Sequence, residues 1–392
     1  MSISKFSRRL FLGALPSGLV GLGLAKELGS SPLSSHQDLE LKINKYNDLG
    51  KTGLKVGDVS CGAISFFEPN VMRYAVDMGV NYFDTAEGYM NGNSEKYIGQ
   101  ALGDIRDKVI IATKHIYGPR NPISRDNVIQ RMNSSLRRLK TDHVDVAMVH
   151  NLGDLTLLDN ENLLAGYEQL KKEGKVRFTG FSTHNAQVTL KQALERDFVQ
   201  VVLVIYNHME GPAIEPQIKS VREKGIGVIA MKVFAGGKQG NLKSMISPTV
   251  SYSQAAIRWV LSNPNIDCCI PTMSSYSHVE EYVTASGQPL NRGDIGIIAA
   301  YQKQAGNQYC RVSCTECLSA CPHNVAINDV LRYAMYYEDY RREKDAMQHY
   351  SDLDELRKPV DCSRCEGPCT SACPHGLPVR DKLIKAHDLL KA

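Results

Sequence analysis

The sequence predicts an α/β protein in which a (β/α)8 (TIM) barrel is followed by a small, mostly α-helical, cysteine-rich domain. First, eight short apolar runs alternate with helical patterns over about 250 residues, which is the length and rhythm of such a barrel. Second, the chain has 392 residues, which is more than one average domain. Third, eight of the 11 cysteines lie between Cys310 and Cys373, so the end of the chain differs in kind from the body.

The composition excludes several classes of protein. Hydrophobic residues make up 43% of the chain and charged residues 22%, which suits a globular protein with a large core. A disordered chain, a collagen-like repeat and a polytopic membrane protein are excluded on this basis. The net charge of +4 gives no electrostatic reason to expect a nucleic-acid partner.

The first 36 residues are expected to be an export signal and its spacer. The run SRRLFL at residues 7–12 precedes a mildly apolar stretch from Gly13 to Ala25, which is the pattern of an export signal. That stretch is too short and too rich in glycine for a stable membrane span. The paired Arg8 and Arg9 resemble a twin-arginine signal, which implies export of the folded protein to the periplasm. The alternative is a disordered, slightly basic N-terminus.

The barrel is predicted over residues 44–290, with eight strands in chain order. They are Val59–Ala63, Asn81–Thr85, Val109–Lys114, Val144–His150, Arg177–Ser182, Val201–Asn207, Gly227–Phe234 and Asp267–Pro271. Two helices are predicted at Arg125–Leu139 and Ser253–Leu261, and Ser124 offers an N-cap oxygen to the first of them. A doubly wound open sheet is the competing architecture, but no Gly-x-Gly-x-x-Gly follows the first strand.

Three adjacent strands end in an ionisable residue. Asp84, Lys114 and His150 end or follow the second, third and fourth strands, and Tyr89 lies just beyond Asp84. Each residue alone has a structural explanation, but in a barrel the chemistry lies where strands end. A lysine in an apolar mouth needs a carboxylate, and a neighbouring ammonium is expected to lower the pKa of a tyrosine from about 10. The set predicts a proton donor for a carbonyl oxygen, with a histidine that orients the same oxygen.

These residues carry a resemblance to a known family. The stretch FDTAEGYMNGNSEKYIGQAL at residues 83–102 resembles the aldo-keto reductases, and the similarity extends from about Leu49 to Ser286. The resemblance implies an NAD(P)-dependent interconversion of carbonyl and alcohol on a (β/α)8 barrel. It also implies an acid–base tetrad of Asp84, Tyr89, Lys114 and His150, in which Tyr89 exchanges the proton.

The resemblance further implies positions for the nicotinamide cofactor. Ser182 matches the residue that holds the carboxamide, and Tyr206 matches the aromatic residue that stacks on the nicotinamide ring. Phe234, Gly236 and Gly237 match the loop on the pyrophosphate side, where small residues allow backbone N–H groups to approach phosphate.

The adenosine end of the cofactor is assigned to Thr272, Ser274 and Glu281. NADP-dependent relatives often carry a lysine and an arginine where this chain has Thr272 and His278. A 2′-phosphate would therefore have weak electrostatic support, which favours NAD slightly and leaves the choice between NAD and NADP open.

The C-terminal domain is predicted over residues 300–392 and contains two runs of four cysteines. Each run ends in Cys-Pro, and the eight residues are Cys310, Cys314, Cys317, Cys321, Cys362, Cys365, Cys369 and Cys373. Each run resembles the bacterial ferredoxin pattern, which implies two [4Fe–4S] clusters. Carried over from two-cluster ferredoxins, the last cysteine of each run serves the cluster of the other run.

Residues 325–356 between the two runs are predicted to be helical. This arrangement resembles the helical ferredoxin domain of fumarate reductase iron–sulfur subunits. Structural zinc and a disulfide framework are the alternatives. The other cysteines, Cys61, Cys268 and Cys269, are expected to be core residues.

The sequence thus predicts an exported oxidoreductase that acts on a small carbonyl or alcohol. Its clusters are expected to exchange electrons with a redox partner protein. Hydride transfer moves two electrons whereas each cluster passes one, and no flavin motif is visible. The clusters are therefore either structural or coupled through a further subunit. The alternative is an electron-transfer or scaffold subunit with a catalytically silent barrel. A sugar, a steroid and a small aldehyde all remain open as substrates, because the loops at 117–122 and 151–159 carry no recognisable signature.

Overall fold

The computed structural model describes residues 41–64, 68–118, 121, 123–153, 155–236, 251–311, 314–340 and 342–391. All of them belong to one compact unit. The twin-arginine segment and Gly237 lie outside the described residues, so their assignments stay predictions.

Eight parallel strands form a closed barrel. A short antiparallel hairpin, β1 (Tyr46–Asp48) and β2 (Lys55–Gly57), comes first. The barrel strands then follow in order: β3 (Cys61–Gly62), β4 (Tyr82–Asp84), β5 (Ile110–His115), β6 (Val144–Val149), β7 (Val176–Thr183), β8 (Val201–Ile205), β9 (Gly227–Met231) and β10 (Cys268–Cys269). Each pairs in parallel with the next, and bridges between Gly62 and Thr272 and between Val59 and Cys269 close the ring. The barrel predicted from the sequence is confirmed.

The observed strands are shorter than predicted at several ends. The first and last barrel strands contain two residues each, where five were predicted. The seventh ends at Met231 instead of Phe234, because Lys232 adopts a left-handed backbone conformation with φ of 55° and turns the chain.

Within the described residues, eight α-helices surround the barrel. They are α1 (Pro69–Asp77), α2 (Asn93–Leu102), α3 (Arg125–Leu139), α4 (Glu161–Lys172), α5 (Ala186–Ala193), α6 (Glu215–Lys224), α7 (Tyr252–Leu261) and α8 (Tyr276–Val283). Helix α3 has the predicted bounds because its N-cap is strong. Ser124 Oγ accepts a hydrogen bond from the Asn127 N–H at 3.1 Å.

The hairpin closes the amino-terminal end of the barrel. Leu49, Leu54 and Val56 of the hairpin pack into the same buried cluster as Tyr82 and Ile229 from inside the barrel. Gly50 lies so close to the chain at Gly227 that a Cβ built on it would be 2.4 Å from the Gly227 nitrogen. The sequence pattern does not predict this hairpin, because its two strands are only three residues long. Because one end is plugged, the carboxyl ends of the strands form the accessible mouth.

The C-terminal region is mostly helical and has its own core. Its helices are α9 (Arg292–Ala305), α10 (Ile327–Glu338), α11 (Glu343–Ser351), α12 (Pro368–Ser371) and α13 (Val379–Leu390). Ile327 and Val330 pack against Leu383 and Ala386 in a second apolar cluster that includes Cys317, Cys362 and Cys369. The helix predicted at 325–356 is thus two helices, α10 and α11.

Helix α9 lies across the predicted boundary at residue 300 and joins the two regions. The ring of Tyr301 stacks on that of Tyr252 with centroids 4.4 Å apart, and its hydroxyl donates to the Ala235 carbonyl at 3.2 Å. Gln302 Nε2 donates to the His208 carbonyl at 3.0 Å. The C-terminal region is therefore held at the mouth of the barrel. Among the described residues, no helix has both the length and the apolar character needed to traverse a membrane.

Candidate active site

Four predicted site residues lie on the inner side of adjacent strands at the mouth: Asp84, Lys114, His150 and Ser182. Side chains alternate along a strand, so a residue faces the same way as the residue two positions before it. Those earlier residues line the barrel interior: Tyr82, Ala112 and Met148. The period of two therefore brings these side chains towards the barrel axis.

Lys114 and Asp84 form a fully enclosed ion pair. Lys114 Nζ donates to Asp84 Oδ1 at 2.5 Å and to the Thr85 carbonyl at 2.6 Å. Burial acts to lower the pKa of Lys114, but the Asp84 carboxylate and the Tyr89 phenol outweigh it, so this pKa is raised. The lysine is therefore a permanent cation at the floor of the mouth.

A second buried network, which the sequence analysis missed, fixes the end of β5. Thr113 donates to Glu95 Oε1 at 2.5 Å, and Arg138 donates to Glu95 Oε2 at 2.6 Å. Glu95 is completely buried although it lies on a surface helix of the barrel. Since Thr113 precedes Lys114, this network holds the backbone from which the lysine projects. A glutamate within the matching stretch at 83–102 was the available signal.

Tyr89 lies beside Lys114 and His150 in the mouth. Lys114 Nζ is 4.8 Å from the centre of the Tyr89 ring, and the ring meets that of His150 edge-on with centroids 5.5 Å apart. The two following residues, Met90 and Asn91, both adopt left-handed conformations with φ of 53° and 55°. Such strained backbone is typical of functional sites.

The electrostatic expectation for Tyr89 needs a correction. Burial raises the pKa of Tyr89, and Lys114 opposes this shift only in part. The expectation of a lowered pKa was wrong because it weighed the nearby charge and left out desolvation of the phenolate. Tyr89 is thus a protonated phenol, ready to give a proton.

His150 is neutral in this site. Burial lowers the pKa of His150 to about 3, and the positive charges of Lys114 and Lys232 act in the same direction. A neutral imidazole has one donor and one acceptor nitrogen, so it can hold an oxygen without competing for the proton of Tyr89.

Ser182 ends β7 and ties it to the neighbouring loop. Its Oγ accepts a hydrogen bond from the Asn151 N–H at 2.9 Å, and its carbonyl accepts one from the Leu152 N–H at 2.8 Å. The residue lies at the mouth, as the predicted contact with a carboxamide requires.

Tyr206 does not lie in the mouth. Val201 and Leu203 of β8 face inward, so alternation turns Tyr206 outward into the layer between strands and helices. There it stacks on Trp259 with centroids 5.2 Å apart, and its hydroxyl donates to Glu215 at 3.0 Å. The expectation that this ring stacks on a nicotinamide does not fit this position.

The predicted contacts for the rest of the cofactor lie around the ends of β9 and β10. Phe234 packs on Tyr282 with centroids 5.2 Å apart, and Gly236 adopts a left-handed φ of 75°. Thr272 pairs with Gly62 just after β10, and Ser274 Oγ lies 3.1 Å from His278 Nδ1. Glu281, half-buried on α8, completes this set.

Two buried polar atoms at the mouth show that the site suits a polar ligand. Asp84 Oδ2 and Lys232 Nζ are both inaccessible to solvent and have no hydrogen-bond partner within the described chain. Buried polar groups are normally satisfied, so each awaits a complementary group. A nicotinamide dinucleotide carries O–H and N–H donors of the kind that Asp84 Oδ2 lacks, whereas Lys232 Nζ requires an acceptor.

The eight C-terminal cysteines are free thiols that fall into two sets. Burial raises the pKa of the Cys310 thiol to about 12, and the neighbouring thiols that add to the shift are Cys317, Cys314 and Cys373. Burial likewise raises the pKa of the Cys362 thiol to about 11, and the thiols that add to it are Cys321, Cys369 and Cys365. The thiols that act on Cys310 and on Cys362 are thus two of the same run and the last cysteine of the other run, and Cys369 also acts on Cys317, so the two sets adjoin.

Backbone N–H groups point at thiols of the second set. Val325 N–H donates to Cys321 Sγ and Gly367 N–H donates to Cys365 Sγ, both at 3.4 Å. Across the described ranges, no group of three or more His, Cys, Asp and Glu side chains is arranged to hold a single metal ion.

Comparisons with known proteins agree with this architecture. Residues 67–244 match the model of the aldo/keto reductase family. An L-galactose dehydrogenase of Arabidopsis thaliana is 31% identical over 277 residues, which cover 60% of this chain and 86% of that protein. A methylglyoxal reductase of Escherichia coli is 26% identical, with 59% and 83% covered. A probable voltage-gated potassium channel subunit beta of Arabidopsis thaliana is 26% identical, with 62% and 90% covered.

Solved structures share the fold. An aldo-keto reductase of Bacillus halodurans in its holo form matches with a TM-score of 0.55 and 23% identity, covering 65% of this chain and 95% of that one. An aldo-keto reductase of Klebsiella pneumoniae in complex with NADPH matches with a TM-score of 0.56 and 22% identity, covering 66% and 95%.

Proposed function

Because the chain belongs to the aldo/keto reductase family, we propose that it interconverts a small carbonyl compound and its alcohol with NAD or NADP. One observation carries the proposal: Tyr89, Lys114, Asp84 and His150 meet at the open end of the barrel. A phenol beside an ammonium, with a neutral imidazole alongside, is suited to proton exchange with a carbonyl oxygen.

Each residue has one task in this proposal. Tyr89 gives its proton to the carbonyl oxygen as the alcohol forms, and Lys114 stabilises the phenolate that is left. Asp84 holds Lys114 in place, and His150 orients the oxygen. The bound nicotinamide supplies the hydride. Burial of Tyr89 keeps the proton on the phenol until the oxygen develops negative charge.

The cofactor would be held by residues from several strand ends. Ser182 would face the nicotinamide end, and the loop at Phe234 and Gly236 would face the phosphates. Thr272, Ser274 and Glu281 would face the adenosine end. With a threonine and a histidine at positions 272 and 278, a 2′-phosphate has little cationic support there, so the preference for NAD over NADP is slight.

The proposal assigns two [4Fe–4S] clusters to the C-terminal region. Two sets of four partly buried thiols, each spanning both runs, support it, as do the two N–H groups directed at sulfur atoms. The clusters would connect the enzyme to a redox partner protein or stabilise the region. The Cys-Pro endings and this crossed grouping favour them over zinc.

The proposal also places the protein outside the cytoplasm. The paired Arg8 and Arg9 before an apolar stretch support export of the folded chain by the twin-arginine route to the periplasm. Folded export would allow metal insertion before translocation.

A second candidate function is an electron-transfer or scaffold subunit with a silent barrel. It is favoured by one observation, that a matching relative is named as a potassium channel subunit. The enclosed Lys114–Asp84 pair weighs against it, because a scaffold has no need for a buried charge at an open mouth.

Hydride transfer tests the proposal directly. The wild-type protein, purified without oxygen, is mixed with deuterated NADH or NADPH and a panel of aldehydes, and deuterium in the alcohol is measured. We expect transfer by the wild type and a loss of about 10²–10⁴-fold in Tyr89→Phe. The dissociation constant of the nicotinamide dinucleotide should be unchanged, because Tyr89→Phe removes only one hydroxyl and the cofactor would be held by residues at other strand ends. Equal rates in both proteins would favour the scaffold.

A further inference from the structure

Lys232 is a partly buried lysine at the mouth that the proposed chemistry does not use. It follows β9 at the mouth, and its Nζ atom is enclosed without a hydrogen-bond partner in the described chain. Burial lowers the pKa of Lys232 well below its usual value, and Arg332 and Arg342 add to the effect. A lysine in such surroundings is costly unless a ligand with negative charge joins it.

Arg332 approaches the same place from the C-terminal region. It lies on α10 and is only 8% exposed, yet no hydrogen bond or ion pair to a described residue involves its guanidinium. It acts electrostatically on both Lys232 and His184, so it lies near the mouth. Two basic side chains from different regions therefore approach each other, and neither is hydrogen-bonded to a described residue.

The charged groups around Lys232 and Arg332 do not neutralise these two basic side chains. Arg342 is already bound to Asp345 at 2.8 Å and packs on Tyr336. Glu210 is the carboxylate that acts on Lys232, and it opposes the effect of the arginines only in part. The charged groups that act on Lys232 are thus two arginines and one glutamate.

Two further residues of α10, Met335 and Tyr336, lie near the mouth. A Cβ built on Gly236 would lie 3.6 Å from Met335 Cε, and Tyr336 acts electrostatically on Tyr89. The C-terminal end of helix α10 thus lies beside the mouth. The C-terminal region therefore contributes side chains close to the mouth, in addition to the cysteines.

We propose that Lys232 and Arg332 bind a carboxylate or phosphate group of the substrate, so that the preferred substrates are anionic carbonyl compounds. The inference rests on the proposed function and names its substrate class. Lys232 also acts electrostatically on His150, which lies beside Tyr89. An anionic group at Lys232 therefore belongs to the molecule whose carbonyl His150 orients. A guanidinium and an ammonium together suit one oxyanion group with several oxygens.

The test compares 4-carboxybenzaldehyde with its methyl ester, which differ in charge and share the aldehyde. Wild type, Lys232→Met, Arg332→Met and the control Lys344→Met, an exposed lysine of the same region, are assayed for kcat/KM. We expect each mouth variant to lose roughly 10–100-fold on the acid and little on the ester, since charged hydrogen bonds are removed. The control should match the wild type.

Two further measurements distinguish substrate binding by Lys232 and Arg332 from a role in holding the cofactor or the iron. The dissociation constant of the nicotinamide should stay constant, because a loss there would mean that they hold the pyrophosphate. The iron content should also stay constant, because Arg332 acts on the Cys310 thiol as well. Loss of iron in Arg332→Met, or an equal loss on acid and ester, would overturn the proposal.

Binding separates this inference from the proposed function. Calorimetry with 4-(hydroxymethyl)benzoate needs no hydride transfer. Binding by the wild type that weakens in both mouth variants supports the anion site even if neither aldehyde is reduced. Reduction of both aldehydes at equal efficiency by the wild type would reject the anion site and leave the reductase proposal standing.

Discussion

Lys114 and Asp84 bind each other where water does not reach, with Nζ and Oδ1 2.5 Å apart and side chains only 1% and 2% exposed. Such a pair adds little net stability, because desolvation offsets the attraction. Removing one partner is a different matter, since the other charge is left buried and alone. Substitutions in this pair therefore test how much stability is lost when one buried charge has no partner.

Lys114→Met should lower the free energy of unfolding by about 3–5 kcal/mol, because Asp84 is left as an isolated buried carboxylate. Adding Asp84→Asn should recover part of this loss, since the orphaned charge is gone. Denaturant unfolding measures both effects. Lys55→Met is the matched control, because its pair with Asp48 is 69% and 59% exposed and should contribute at most about 1 kcal/mol. An equal loss of unfolding free energy in Lys114→Met and Lys55→Met would contradict the assignment of a buried, mutually dependent ion pair.

His115 should make the fold sensitive to acid. Burial lowers the pKa of His115 to about 3, so the folded state keeps it neutral while the unfolded chain takes up a proton below about pH 6.5. Stability is thus complete above that pH and is lost as the pH falls towards 3, by at most about 1.4 kcal/mol per pH unit. In His115→Gln, urea unfolding between about pH 7 and 5 should show a shallower fall. Parallel profiles would show that the residue does not titrate in this way.

The crossed cysteine sets predict how iron is lost in paired variants. Cys321→Ala with Cys365→Ala removes two ligands of one set, so about four iron atoms should remain. Cys321→Ala with Cys314→Ala removes one ligand from each set and should leave few. Iron analysis of anaerobically purified protein measures the difference, and about eight atoms are expected in the wild type. The opposite result would mean that each run holds its own cluster, and a colourless wild type with two zinc ions would reject clusters.

Export should depend on Arg8 and Arg9. Their joint replacement by lysine keeps the charge but removes the pair that the receptor reads, so the protein should stay in the cytoplasm with its metal content unchanged. Cell fractionation and metal analysis measure the two outcomes. Efficient export of the doubly substituted protein would rule out the twin-arginine route.

The barrel was predictable because its signal is local and repeated. Each strand is a short apolar run, and the two-residue period places Asp84, Lys114 and His150 on the inner side without knowledge of the tertiary structure. The same period, applied from Val201 and Leu203, turns Tyr206 outward. The sequence motif alone predicts a position in the mouth for Tyr206.

Other features depend on burial and on distant contacts. The pKa of Tyr89 follows from how much protein surrounds it, which the order of residues does not state. Lys232 and Arg332 lie far apart in the chain, and only the packing of α10 over the mouth relates them. The hairpin at residues 46–57 escaped notice because its strands are three residues long.

The stacking of Tyr301 on Tyr252 has a consequence for the history of the gene. A barrel cut before α9 would expose the apolar seam that Tyr252, Ala256, Tyr301 and Ala305 now bury, and would lose the end of α10 beside its mouth. Recombination that exchanged either half alone would join surfaces that do not match. The barrel and the C-terminal region that begins with α9 are therefore expected to be inherited as a unit. Substitutions at the seam in one of them should be accompanied by substitutions in the other.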